Sequence, residues 1–146
     1  MEERKCDIQK LEKQLCFPLY ACSREMIKLY TPVLDEFGLT YTQYITMLVL
    51  WEKKVVTVKQ LGEALYLDSG TLTPLLKKLE AKGLVHRTRS EEDERNLIVT
   101  LTEAGEAMKE PAEIIPKRMA QCVTLTPEET RECYRLLYKL LDFVKK

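Results

Sequence analysis

The stretch that decides the fold is SGTLTPLLKKLEAKGLVHRTRSEEDERNLIVTL, residues 69–101. In its first half leucines recur at spacings of three and four and end at Gly83, which predicts a helix over residues 69–82. We expect Pro74 in the first turn of that helix, where proline is tolerated. Two short β-prone runs, residues 84–88 and 97–101, then flank a charged turn and predict a hairpin. A helix followed by a two-stranded wing is typical of a winged helix-turn-helix.

Helix signals continue on both sides of this stretch. Three capping boxes, in which a threonine precedes Gln or Glu by three residues, predict helix starts after Thr40, Thr57 and Thr126. Thr102 predicts one long helix that begins with EAGEAMKE. A further long helix is indicated by a buried apolar stripe at helical spacing. That stripe consists of Leu19, Cys22, Met26, Leu29, Tyr30 and Val33.

Length and composition limit the class of protein. A chain of 146 residues suits one domain, or one domain that completes its core by dimerising. Hydrophobic residues make up 45% and charged residues 32%, a mixture that excludes disorder. No apolar run approaches the ~20 residues needed to cross a bilayer, and the polar N-terminus does not resemble a signal peptide. We therefore expect a cytoplasmic protein with no membrane partner.

These signals predict a mainly α fold with a small β-hairpin wing, a winged helix-turn-helix flanked by long helices. The expected single domain spans residues 1–146, with the DNA-binding lobe at about 37–101. The flanking helices, at about 7–35 and 103–146, carry more apolar surface than one small core needs. They are interpreted either as a dimerisation layer or as core of the same chain.

Charge favours nucleic-acid binding only locally. Formal net charge is zero, but residues 68–89 hold five basic residues against two acidic ones, a surplus of three. On this fold the helix at residues 69–82 would enter a major groove, with hydroxyl and basic side chains facing phosphates and base edges. The alternative is an ordinary solvated helix and hairpin. The candidate contacts are Ser69, Thr71, Thr73, Lys77, Lys78 and Arg87.

The tip of the wing, SEEDER, is acidic and should repel phosphate, with Arg95 as the exception. Asp93 can hold the Arg95 guanidinium in place, and one ordered arginine suits the negative potential of a minor groove. The alternative is a solvated turn with a surface ion pair that contributes about 0–1 kcal/mol. Spacing alone does not decide between the two, so Asp93 and Arg95 are candidates.

Five cysteines occur without a CxxC pair, and there is one histidine, so no structural zinc, other metal or cofactor is expected. The default is five free thiols, most of them buried. Cys16 is distinguished by Pro18, because an interior proline costs ~3 kcal/mol whereas a first-turn proline is tolerated. We therefore expect the first long helix to begin near residues 14–15. Cys16 would then lie at a helix N-terminus, which favours the thiolate, although inert core is the ordinary alternative.

The segment LYLDSGTLTPLLKKLEAKGLVHRTRSEEDERNLIVTLTEAG resembles the helix-turn-helix and wing of MarR-type repressors, including a D-x-R pattern at residues 93–95. QLCFPLYACSREMIKLYTPVLDEFGLTYTQYITMLVLWE is similar to the organic-hydroperoxide-sensing OhrR branch. The resemblance runs from about residue 11 to 143. It implies a homodimeric repressor that binds a palindromic operator of double-stranded DNA and is released when an organic hydroperoxide oxidises it.

The resemblance also assigns roles. The cysteine of QLCF, here Cys16, is the reactive thiol, and Tyr30 and Tyr41 match tyrosines that hydrogen-bond near that sulfur. Cys122 matches the region of a resolving cysteine that forms an intersubunit disulfide. From their positions alone, Cys6 near the terminus, Cys22 on the apolar stripe and Cys133 after a charged helix start are expected to be inert. Pro18 departs from the family's pattern.

Three other functions compete with this interpretation. One is a MarR-type repressor released by a reversibly bound aromatic ligand, in which Cys16 is not a sensor. A second is a thiol peroxidase, but the sequence places no activating histidine or arginine near Cys16, so no enzyme is expected. The third is a winged helix that binds a protein partner and not DNA.

Overall fold

The computed structural model describes residues 8–145. They form two compact units, the first ending at Ile115 and the second beginning at Pro116. Seven α-helices and three strands make up the described part, which confirms a mainly helical fold with a small β wing. The helices are α1 Cys16–Asp35, α2 Tyr41–Lys53, α3 Val58–Leu65, α4 Ser69–Ala81, α5 Glu103–Ala107, α6 Ile114–Cys122 and α7 Pro127–Val144. The strands are β1 Val55–Thr57, β2 Val85–Arg89 and β3 Leu97–Leu101.

Side-chain caps fix most helix starts where the sequence places them. All three predicted capping boxes form, with reciprocal bonds at Thr40, Thr57 and Thr126. The recognition helix α4 has a cap that the sequence reading missed, because the Asp68 carboxylate accepts the Thr71 N–H at 2.7 Å. The pKa of Asp68 is lowered mainly by this bond, which stabilises its charged form.

Two predictions about helices that contain or precede a proline are wrong. Because Asp68 caps α4, the helix begins at Ser69 and Pro74 lies inside it, one turn later than expected. The long helix predicted after Thr102 is also wrong. It is broken into α5, a 3-10 turn at Pro111–Glu113, and α6. Pro111 explains the break, because it lacks the N–H that would continue the ladder of α5.

The wing is a three-stranded antiparallel sheet with strand order β1–β3–β2. The predicted hairpin is present, with Val85 opposite Leu101 and Arg89 opposite Leu97, although β2 begins one residue later than expected. Sequence reasoning missed β1, whose Val56 pairs with Val99. Its signal was the β-branched run at residues 55–57, three residues long and hidden between two helices.

The core of the first unit lies under α4. The predicted leucine face of α4 is buried in this core, and Met47, Leu50 and Leu61 pack into the same cluster. Trp51 anchors α5 to this core, since its indole N–H donates to the Gly105 carbonyl at 2.9 Å. The leucine face consists of Leu72, Leu75, Leu76 and Leu79.

The stripe predicted on the first helix is mostly not buried. In α1 only Val33 and Leu34 are buried, whereas Cys22 and Leu29 are exposed. Helix α7 contains no buried residue at all, although Leu137 and Phe143 lie on it. Both α1 and α7 therefore carry apolar surface that one chain leaves uncovered.

No helix among residues 8–145 is long and apolar enough to cross a membrane.

Candidate DNA-binding surface and thiol site

The exposed side of α4 carries the predicted contact residues. Ser69, Thr71, Thr73, Lys77 and Lys78 are all exposed, whereas the leucine face of the same helix is buried. The Thr73 hydroxyl donates to the Ser69 carbonyl at 2.8 Å, so its remaining lone pairs face solvent. Hydroxyls and ammonium groups on one helix face can contact phosphates and base edges of a duplex.

Arg87 is engaged within the protein. Its guanidinium Nη2 and Nε lie 2.9 and 3.1 Å from Glu80 Oε2, and its backbone N–H donates to Glu80 Oε1 at 3.2 Å. The hydrogen bonds from Arg87 lower the pKa of Glu80. The pair joins the recognition helix to strand β2 and occupies part of the Arg87 donor fork. A DNA contact by Arg87 stays a prediction.

The wing tip presents one open arginine. The Arg95 side chain is 93% exposed, and its Nε lies 3.5 Å from Asp93 Oδ1. The backbone N–H of Arg95 donates to the same oxygen at 3.0 Å. Arg89 braces the turn through a 2.8 Å bond to the Glu94 carbonyl. The turn is therefore held from both sides while the Arg95 guanidinium is exposed to solvent, and its contact with a minor groove stays a prediction.

Lys82 has a role that sequence reasoning missed. It was counted with the basic residues of the DNA-facing segment, but its ammonium donates to Gln43 Oε1 at 2.9 Å and to the Gly38 carbonyl. Both acceptors lie at the junction of α1 and α2. A cleft of about 250 Å³ beside this junction is lined by Thr40, Thr42, Gln43, Thr71, Pro74, Leu75 and Lys78.

Cys16 is the first residue of α1 and is exposed. Pro18 is the third residue of that helix, which confirms a first-turn position for the proline. The Phe17 N–H donates to the Gln14 carbonyl at 3.1 Å, so one of the first-turn amides is occupied. A surface cleft of about 580 Å³ adjoins this end of α1, lined by Lys10, Leu11, Glu12 and Phe17.

The two candidate tyrosines meet each other, but not Cys16 of their own chain. The rings of Tyr30 and Tyr41 are 4.9 Å apart, edge to face, and Tyr44 lies 6.1 Å from Tyr30. Burial raises the pKa of Tyr41, and burial with the two neighbouring phenols raises the pKa of Tyr44 to about 12. These phenols therefore remain protonated donors at neutral pH. Tyr30 lies fourteen residues beyond Cys16 in the same helix, or ~21 Å along its axis.

The other cysteines differ from expectation. Cys22 and Cys133 are both exposed, so the predicted burial of Cys22 is wrong for the single chain, because the face of α1 that carries it is uncovered. Cys122 is the last residue of α6, is exposed, and has Sγ 3.6 Å from the Arg118 carbonyl. None of these three nor Cys16 is in a disulfide, and Cys6 lies outside the described residues. No group of three metal-ligating side chains occurs within residues 8–145.

The chain is similar in sequence to known transcriptional regulators. Residues 28–111 match the family described as transcriptional regulator SarA/Rot. The chain is 51% identical over 140 residues, 96% of its length and 95% of the relative's, to the organic hydroperoxide resistance transcriptional regulator of Bacillus subtilis strain 168.

Solved structures of AbfR, a Staphylococcus epidermidis protein, are also similar. Reduced AbfR bound to DNA is 37% identical with a TM-score of 0.79, and covers 97% of this chain and 99% of its own. Its disulfide form has the same identity and coverage with a TM-score of 0.66. The chain therefore belongs to the MarR-type winged-helix transcriptional regulators, in the organic-hydroperoxide-sensing OhrR branch.

Proposed function

We propose that the protein is a homodimeric repressor that binds a palindromic operator and leaves it when an organic hydroperoxide oxidises Cys16. The observation that carries this proposal is the separation of Cys16 from the Tyr30–Tyr41 pair along α1. Because ~21 Å of helix divides them, the phenols can reach that sulfur only from a second chain. The exposed apolar face of α7 and the exposed N-terminal half of α1 supply surface for such a dimer.

On DNA, α4 would lie in the major groove and the wing would reach the adjacent minor groove. Ser69, Thr71, Thr73, Lys77 and Lys78 are the proposed groove and phosphate contacts, and Arg95 the proposed minor-groove contact, held by Asp93. In a two-fold dimer the two copies of α4 would be about one helical turn apart, ~34 Å. Arg87 would act mainly by fixing the wing to α4 through Glu80.

The proposed chemistry begins with the thiolate of Cys16, which attacks the hydroperoxide oxygen distal to carbon. The O–O bond breaks, the sulfur takes up one oxygen as sulfenic acid, and the leaving alkoxide is protonated to an alcohol. The Cys122 thiol of the second chain then displaces water from the sulfenic acid and forms a disulfide. A disulfide requires Cα atoms within ~7 Å, so helices must move, and the DNA-binding lobes would move with them.

The surroundings of Cys16 support an organic oxidant. Leu11 and Phe17 line the adjoining cleft together with Lys10 and Glu12. Apolar side chains favour an alkyl or aryl group over a fully hydrated peroxide. We therefore expect cumene hydroperoxide to react faster than hydrogen peroxide.

The decisive experiment is fluorescence anisotropy with the promoter region upstream of the protein's own gene. Reduced protein, protein given one equivalent of cumene hydroperoxide per subunit, and Cys16→Ser given the same oxidant are compared. Release of the wild type but not of the variant is expected. Binding that ignores the oxidant would refute the peroxide signal and favour a repressor released by a reversibly bound aromatic ligand.

The resolving cysteine needs its own test. Intact-mass analysis of oxidised protein under denaturing, non-reducing conditions should show a covalent dimer that Cys122→Ser abolishes and Cys133→Ser retains. A monomer carrying an added small thiol would instead replace the Cys122 step. Peroxide consumption should stop near one equivalent per subunit, because each chain has one reactive thiol, Cys16. Continued consumption in the presence of a thiol reductant would indicate a peroxidase.

A further inference from the structure

One lysine joins three helices of the first unit. Lys82 follows the last residue of α4, and its backbone N–H still bonds to the Lys78 carbonyl at 3.1 Å, so its stem is fixed to the recognition helix. Its ammonium reaches the Gly38 carbonyl, in the turn that ends α1, and the Gln43 side chain in the first turn of α2.

Both acceptors are themselves held in place. Gly38 has φ +65° and donates its N–H to the Asp35 carbonyl at 3.1 Å, the left-handed turn that commonly closes a helix. Gln43 is 3% exposed, and its Oε1 also accepts the Thr40 N–H at 3.1 Å. The ammonium therefore meets two carbonyl oxygens that cannot turn away. A cation is also favoured at the negative end of the α1 dipole.

We infer that Lys82 is a positioning residue that carries the orientation of the sensor helix α1 to the recognition helix α4. The inference rests on the proposed function, because it assigns the route by which oxidation at Cys16 would reach the DNA-binding surface. In the reduced protein the Lys82 link holds α4 at the angle that fits the operator. A displacement of α1 pulls the Gly38 turn, and the ammonium moves the end of α4 with it.

The same geometry argues against a phosphate contact. All three lysines are exposed, but the Lys82 ammonium is directed at the α1–α2 junction, whereas Lys77 and Lys78 extend from α4 itself. A lysine that neutralises a phosphate contributes about one unit to the slope of log affinity against log salt. A positioning lysine contributes nothing to that slope. Salt dependence therefore separates the two roles.

The test uses the full-length protein with Lys82→Met, which keeps the aliphatic stem and removes the donor. Lys53→Met is the matched control, since Lys53 is an exposed lysine in the last turn of α2. Operator affinity is measured by anisotropy for reduced and for cumene-hydroperoxide-treated protein at several salt concentrations. Lys82→Arg is the rescue variant, and Lys82→Gln replaces the methionine variant if that one does not fold.

We expect the ratio of reduced to oxidised affinity to fall about three- to tenfold in Lys82→Met. The salt slope should stay at the wild-type value, Lys82→Arg should recover most of the ratio, and Lys53→Met should match the wild type. An unchanged ratio in Lys82→Met would overturn the inference, as would a slope reduced by about two units, one for each subunit of the dimer. If the wild type itself shows no release, the proposed function fails instead, so the two failures are distinguishable.

Discussion

Gly105→Ala is the substitution whose effect on stability the structure determines most directly. Gly105 lies in α5, and a Cβ there would sit 2.1 Å from the Leu84 carbonyl oxygen and 3.1 Å from Leu101 Cδ2. Real Cβ atoms almost never approach closer than 3.0 Å, so α5 must move away from Leu84 by about 0.9 Å. That movement also stretches the buried bond from Trp51 to the Gly105 carbonyl.

The opposing terms can be compared. Overpacking costs roughly 1–3 kcal/mol, and the weakened buried hydrogen bond roughly 0.5–1.5 kcal/mol. Alanine is favoured over glycine inside a helix by roughly 0.5–1 kcal/mol, which offsets part of this loss. We therefore expect a loss of about 2 kcal/mol in the free energy of unfolding, which lowers Tm by about 4–8 °C for a chain of this size.

The assay is urea denaturation and thermal unfolding followed by circular dichroism at one fixed protein concentration, because dimerisation would make stability concentration-dependent. Gly70→Ala is the control. A Cβ there meets only Asp68 Oδ1 at 3.3 Å, so the helix-propensity gain should leave its stability unchanged or raised by up to about 1 kcal/mol. A loss below 0.5 kcal/mol in Gly105→Ala would refute the reasoning from this close approach.

Three further predictions concern the wing, an ion pair and the uncovered helix. Arg95→Ala should weaken operator binding roughly a hundredfold in anisotropy, since each of the two subunits loses one charge-assisted contact that contributes roughly 1.5 kcal/mol; affinity equal to the wild type would contradict a groove contact. Because Arg87 lowers the pKa of Glu80, the ion pair stabilises the fold above the ordinary carboxyl pKa and this stabilisation is lost as pH falls through the lowered pKa. Urea denaturation should therefore find Glu80→Gln less stable than the wild type at pH 7, with the difference fading below about pH 4; a difference independent of pH would count against the pairing. Leu137→Glu, on the face of α7 that one chain leaves exposed, should give monomers in sedimentation while circular dichroism stays unchanged; an intact dimer would move the interface elsewhere.

Local chemistry explains which parts of the fold were predictable from sequence. Capping boxes at Thr40, Thr57 and Thr126 act within three residues, so their helix starts could be placed from the letters alone. Strand β1 was missed because three residues form a strand only when β3 lies beside them. The helix that Thr102 caps could not be bounded from its cap, because a cap fixes only where a helix begins and Pro111 ends the ladder one turn after Ala107.

The site divides in the same way. The position of Cys16 at the start of a helix was predictable because the first turn tolerates proline best, and Pro18 is the third residue of α1. The rule is a preference, since Pro32 and Pro74 lie inside helices. The partners of Arg87 and Lys82 were not, since Glu80 and Gln43 come to them through the packing of separate elements. Burial of Cys22 was expected from periodicity, but periodicity finds an apolar face without saying whether the same chain covers it.

The sequence by itself determined where the helices begin, which leucines face the core, that a hairpin follows the recognition helix, and where the reactive thiol sits. Each of these depends on interactions within a few residues of chain. Only the tertiary structure decided which charges pair internally, which apolar faces stay exposed, and that ~21 Å of helix separates Cys16 from Tyr30 and its ring partner Tyr41. These depend on distances between elements, which no local pattern encodes.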